Sequence, residues 1–184
     1  MKSTIICISF LIVVSFHFGC SDTNRIYASY DKGKLIAGIL SDSGINTLKN
    51  IIKFYSNGEI RDTIIIKYEY NNESCWDILD QHGDDYIRGI IKSKQSRIYE
   101  NLKHRNNISV LTFREEGTNF NKVIAWDSTI IVDNNHRLYD LLFFDRSICG
   151  NSIIILPDKR YILTRSDSHF SSLSRTKKQI EATF

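Results

Sequence analysis

Along residues 25–164 the hydrophobic positions fall mostly in short runs separated by turn-forming residues. Arg25 to Tyr30 alternates loosely, Asp31-Lys32-Gly33-Lys34 punctuates, and Leu35 to Leu40 follows, which predicts a hairpin. Ser41-Asp42-Ser43-Gly44 carries turn chemistry. Lys49 to Tyr55 and Ile60 to Tyr70 flank Ser56-Asn57-Gly58-Glu59, where Asn-Gly predicts a second hairpin because both residues tolerate positive φ. Within the later run, Ile64-Ile65-Ile66 fills consecutive positions, so both faces of that strand should be covered.

The segment 71–107 has a different period. Ser74 and Asp77 fit a capping box, with Gly83 as the stop of a short helix. From Asp85, residues Ile87, Ile90, Ile91, Ile98 and Leu102 fall near one helical face, interrupted by Lys94, and Arg88, Lys92, Arg97 and Lys103 take the other. A helix is expected here, although Tyr86 to Ile91 is also rich in β-formers. Strands are expected at Ile108–Arg114, Lys122–Trp126, Thr129–Val132, Leu138–Phe144, Ser152–Leu156 and Arg160–Thr164. Asp133–His136 and Pro157-Asp158-Lys159 serve as turns. Leu138–Phe144, apolar on both alternating faces except at Asp140, should be a central strand. The pattern predicts a mainly β fold, an antiparallel sheet forming a sandwich or barrel with a short helical segment around 74–103. An α+β arrangement is the alternative. The segment Phe54 to Ile60 resembles one unit of a MORN-type hairpin repeat, but no second copy follows at a fixed period.

The first twenty residues differ from the rest. Lys2 precedes an apolar run from Ile5 to Phe18, which ends at Gly19-Cys20 before polar Ser21-Asp22. This is the layout of a secretory signal. The run is shorter than the roughly 20 residues of a comfortable membrane span. Gly19-Cys20 after such a run resembles the lipobox of bacterial lipoproteins, although His17 stands where that family has an aliphatic residue. The resemblance covers the signal alone. It implies a lipidated Cys20 as first mature residue and a place in the cell envelope, membrane-anchored and exported. Cleavage after Ser21 and an uncleaved anchor are the other processing schemes. The organisation expected is a signal over 1–19, a tether over 20–24, one β-rich domain over 25–164 and a flexible or short helical tail over 165–184.

Composition narrows the function classes. A hydrophobic fraction of 42% argues against disorder, and a single Pro excludes a proline-rich stalk. The net charge of +3, from 24 basic and 21 acidic residues, is too small to point to nucleic acid. Four cysteines are present. With Cys7 and Cys20 in the signal region, Cys75 and Cys149 remain. Export would favour a disulfide between them, and two buried free thiols are the other reading.

No nucleophile elbow, phosphate-binding Gly loop or dinucleotide fingerprint occurs. The densest polar cluster is Asp77, Asp80, His82, Asp84 and Asp85, which reads first as helix capping and a solvated loop. His82, His104, His136 and His169 lack the spacing of a metal site. Trp76 and Trp126 read as core. The basic face of Arg88, Lys92 and Arg97 reads as the wet side of a helix, or as a contact for anionic headgroups. The sequence therefore predicts a lipid-anchored envelope protein with a binding or scaffolding role, touching the membrane through its anchor and open to a protein partner in the envelope, with no cofactor and no metal. An immunity protein against an envelope-targeting toxin is the alternative. A hydrolase would need the Asp77–Asp85 cluster to meet His136 or His169 in a cleft.

Overall fold

The computed structural model describes residues 33–56, 59–77, 79–118 and 121–184. The signal, Cys20, the tether and the expected strand Arg25–Tyr30 lie outside them, as does Asn57-Gly58.

Six strands form one mixed sheet: β1 (Leu35–Ile39), β2 (Thr63–Glu69), β3 (Ile108–Glu115), β4 (Ile130–Asp133), β5 (Asn151–Ile155) and β6 (Arg160–Thr164), in the order β1-β6-β5-β2-β3-β4. β2, β3 and β4 run parallel, whereas β5 and β6 pair antiparallel beside β2 and β1 closes the edge antiparallel to β6. The expected sandwich or barrel is corrected to an open sheet of α+β type. The parallel pairs require crossovers, and those crossovers are helical. Helices therefore cover the sheet where a second sheet was expected.

The consecutive isoleucines placed β2 well. Every residue from Thr63 to Glu69 is buried, Ile64, Ile66 and Tyr68 on one face and Ile65 on the other. The first face is covered by α1 (Asp42–Tyr55) through Leu48, Ile51 and Ile52. The hairpin expected from Lys49–Tyr55 is thus replaced by a helix. Ser41, read as a turn residue, is its N-cap and accepts from the Gly44 N–H at 3.0 Å. Burial of Leu48, Ile51 and Ile52 at helical spacing decides the period.

The opposite face is covered by α3 (Asp84–Leu102), which follows the short α2 (Ser74–Asp77) and confirms the helix expected over this segment. Gly83 does not stop the preceding helix; it is the N-cap of α3. Lys122–Trp126, expected as a strand, is the helix α4 (Asn121–Trp126), whose Val123 packs against Ile87 and Ile91 of α3. A short apolar run fits either period, and here the contact with α3 selects the helix. Residues 165–184 hold a 3-10 turn over Ser171–Ser174 and α5 (Lys177–Glu181). Phe170, Leu173 and Ile180 bury beside Ile65, Ile154 and Ile162.

Leu138–Phe144 is the largest correction. It is a π-helical turn over Tyr139–Phe143, outside the sheet. Leu138, Leu142 and Phe143 are buried in the α1-side core, while Asp140 and Phe144 face solvent. Buried positions at i, i+4 and i+5 line one wall of a helical turn and do not alternate across a strand. The Asp133 carboxylate fixes the turn by accepting from the N–H groups of Leu138 (3.0 Å) and Tyr139 (2.8 Å).

Candidate functional site at the carboxyl ends of the parallel strands

The three parallel strands end together at Glu69, Glu115 and Asp133, beside the start of β5 and the end of β6. In open sheets of this kind the crevice outside the carboxyl ends is the usual place for a site. Here it holds a dense polar network and the disulfide.

Cys75 lies in α2, six residues after β2 ends, and Cys149 lies two residues before β5 begins. The antiparallel pairing of Tyr68 with Asn151 carries both segments to the same edge. The cysteines are bonded, with Cα atoms 5.3 Å apart. Cys149 is buried at 4% exposure and Cys75 is half-buried. Between Cys149 and β5, Gly150 passes so close to β2 that an added Cβ would lie 2.3 Å from the Tyr68 carbonyl oxygen. Only glycine fits that approach.

Around the disulfide, Glu115 ion-pairs with Arg146, accepts from the Asn71 N–H at 2.9 Å and faces His136 Nε2 at 3.9 Å. Arg146 also donates to the Asn71 carbonyl at 3.2 Å. Arg165 pairs with Asp145 and donates to the Arg146 carbonyl at 2.9 Å. Asn151 donates to the Tyr70 hydroxyl at 2.7 Å, and Tyr70 donates to the Phe143 carbonyl at 3.0 Å. Burial, together with the Glu73 charge, pushes the Tyr70 hydroxyl well above its ordinary value, so it acts as a neutral donor.

On the α3 side of the same edge, Lys67 is buried and donates to the carbonyls of Gly150 (2.8 Å) and Asp167 (2.7 Å). Burial lowers its pKa, against the pull of Glu73, Glu69 and Asp167. Lys94, the residue that interrupts the apolar stripe of α3, stands 3.7 Å from Glu69 and 3.8 Å from Asp127. A cavity of about 210 Å³ opens here, bordered by Lys67, Glu69, Arg97 and His169.

Of the residues singled out in the sequence, the two cysteines, His136 and His169 reach this edge, and the others lie elsewhere. His82 packs against Tyr86 with ring centroids 4.5 Å apart, Asp84 pairs with Lys122 at 3.2 Å, and both lie at the start of α3. Asp77 closes α2, Asp80 belongs to the turn after it, and Asp85 is exposed in the first turn of α3. His104 is exposed beyond the end of α3. His136 and His169 sit in separate surroundings, one by Glu115 and the other by the small cavity. Among the described residues, no three of His, Cys, Asp and Glu form a group that could hold a metal. Trp76 lies in α2, and Trp126 carries the Arg88 guanidinium over its ring at 4.1 Å. No described helix is long and apolar enough to cross a membrane. The signal for the missed residues was present: Lys67, Glu69, Arg114, Glu115 and Asp133 are charges inside strands otherwise rich in β-formers.

At the opposite end of the sheet, where β2 and β3 begin and β5 turns into β6, lies a groove of about 710 Å³. Ile108, Leu156 and Ile180 give it apolar surface, and Arg105, Arg160, Arg175 and Lys177 give it charge. The chain matches no family model, no curated protein and no solved structure.

Proposed function

We propose that the chain is a lipid-anchored protein of the cell envelope whose folded domain binds a partner rather than transforming a substrate. The anchor rests on the signal and Gly19-Cys20. The observation that carries the binding role is the large groove itself, apolar in part and lined by four basic side chains. The described chain begins at Gly33, whose N–H donates to the Arg165 carbonyl at one end of the sheet, whereas Arg160, paired with Ile39, lines the groove at the other. The groove thus lies about 17 Å along the strands from the point where the described residues begin. Its size falls in the range of sites that enclose a ligand. Cys20→Ser should move the protein from the membrane to the soluble fraction, and mass spectrometry of the mature N-terminus should find acyl groups on Cys20; an unmodified chain starting at Asp22 refutes the anchor. A photo-crosslinking residue at Ser174, in the groove, should capture a protein in intact envelopes that the same residue at Lys92, on exposed α3, does not. Identical adducts from both positions refute the groove.

A second reading is favoured by the half-buried Cys75 at the carboxyl edge, which leaves the disulfide open to exchange. In this reading the reduced protein reacts. The Cys75 thiolate attacks a disulfide of an exported partner, forms a mixed disulfide and releases one partner thiolate. The Cys149 thiolate then attacks Cys75 Sγ, restoring the intramolecular bond and releasing the second partner thiolate. A dithiol donor in the envelope returns the protein to its reduced form. Cys149→Ser should accumulate a mixed disulfide with oxidised glutathione at Cys75. Failure to form that adduct leaves the disulfide purely structural.

A further inference from the structure

We propose that the groove at the amino ends of β2 and β3 binds an acidic peptide segment with apolar side chains, supplied by a protein partner. This rests on the binding role given above and names its ligand class.

The charges lining the groove do not cancel. Arg160 Nε is paired with Asp158 at 2.7 Å, and Lys177 lies 3.8 Å from Glu181. That leaves Arg105 and Arg175, which have no carboxylate partner among the described residues. Arg105 is half-buried and spends one guanidinium N–H on the Leu173 carbonyl at 2.8 Å. Burial lowers its pKa, a sign that its charge is partly dehydrated. Arg175 has its Nε buried without a hydrogen-bond partner. Two guanidinium groups in this state favour carboxylates, which accept their N–H donors in pairs. Ile108, Leu156, Pro157 and Ile180 between them offer surface for apolar side chains, so a ligand that is only a small anion would leave most of the groove unfilled.

The test uses the mature protein with Cys20→Ser and three labelled nine-residue probes, in which Leu alternates with Glu, Gln or Lys. The Glu/Leu peptide should bind most tightly, and its affinity should fall as salt is raised. Arg175→Gln and Arg105→Gln should each weaken it by about tenfold, the loss expected for a charge-assisted hydrogen bond. Arg88→Gln, on α3 outside the groove, should leave it unchanged. Arg105 also ties the end of α3 to Leu173, so its variant is melted first; if it unfolds, Arg175→Gln and the salt dependence decide. Equal binding of the Gln/Leu peptide overturns the acidic class. Tighter binding to phosphatidylglycerol vesicles than to the Glu/Leu peptide assigns the groove to lipid and also overturns it. If the Ser174 crosslink persists while the Glu/Leu peptide does not bind, the ligand class is wrong and the binding role stands. If both fail, both are wrong.

Discussion

The hydroxyl of Tyr68, on the central strand, donates to the Asp133 carboxylate, at the end of β4, across 3.0 Å of fully buried space. The same carboxylate accepts the N–H groups of Leu138 and Tyr139, so one acid joins the middle of the sheet, its far edge and the π-helical turn. Burial and the Asp133 charge both raise the Tyr68 pKa, which keeps the phenol protonated as a donor. Asp133→Ala would strand two buried donors and one half-buried donor, at about 1–3 kcal/mol for each buried one left unsatisfied, so a loss of about 3 kcal/mol or more is expected. Tyr68→Phe removes a single hydrogen bond and should cost about 1 kcal/mol. Urea melts of the two variants check the ordering. Equal losses would mean that the turn holds without its acid.

The turn also separates two adjacent phenylalanines. Phe143 is fully buried and stacks on Tyr68 with ring centroids 4.7 Å apart and planes 16° from parallel. Phe144 is 58% exposed. Phe143→Ala should therefore cost about 3–5 kcal/mol, and Phe144→Ala should stay within about 0.5 kcal/mol, as should Asp84→Ala. A central strand, the arrangement expected from sequence, would bury both rings and make both phenylalanine variants costly. Thermal melts of the three proteins separate the two arrangements.

That contrast shows where the sequence was legible. β2 could be read because three consecutive isoleucines need two covered faces, and α3 because its apolar residues return every three to four positions across five turns. Leu138–Phe144 could not be read. A run in which nearly every residue is apolar carries no period, and the acid that bends it lies five residues upstream. Lys122–Trp126 failed for the same reason at shorter length. At the carboxyl edge, the two cysteines were visible as the pair left after the signal. The Glu115–Arg146 and Arg165–Asp145 pairs were not, because pairing between residues up to 31 positions apart depends on strand order. Strand order in turn depends on which connections are helical, and the sequence left three of those segments as strands.

Reduction should expose the weight of the Cys75–Cys149 bond. It closes a loop spanning 74 positions. In the chain-entropy model a loop of that length contributes about 4 kcal/mol, a large share of the roughly 5–15 kcal/mol that holds a domain folded. Denaturant melts with and without reductant measure it. A Cys75→Ser, Cys149→Ser double variant should match the reduced wild type. If reduction leaves the midpoint unchanged, the reduced edge is held by the surrounding ion pairs and the exchange reading gains, since a bond that adds no stability is easily cycled.

Acid should loosen the packing of the C-terminal segment on the sheet. Burial alone would raise the Asp167 pKa. The Ser152 hydroxyl, the Ser171 N–H at 2.7 Å, the Lys67 charge and the Ser171 hydroxyl at 2.8 Å outweigh it and hold the carboxyl below the usual range. A group whose folded pKa is depressed binds fewer protons folded than unfolded. Its contribution is therefore complete above the unfolded value of about 3.9 and is lost as pH falls through the folded one. Asp127, lowered against its own burial by the Thr129 and Gln95 hydrogen bonds and by Lys94, acts in the same direction. Stability measured by urea melts should hold between about pH 7 and about pH 5 and then fall steeply below about pH 4. Asp167→Asn should be less stable than wild type at neutral pH, and the gap should close in acid because the protonated wild type has lost the same charge. The readout nearest the site is hydrogen exchange at Ser171 and Ser172, whose N–H groups donate to this carboxylate. Their protection should drop in the same pH window, while that of Ile65 in β2 persists. A gap between wild type and Asp167→Asn that stays constant down to about pH 3 would show that the carboxylate contributes through shape alone, and the pH dependence would then belong to other groups.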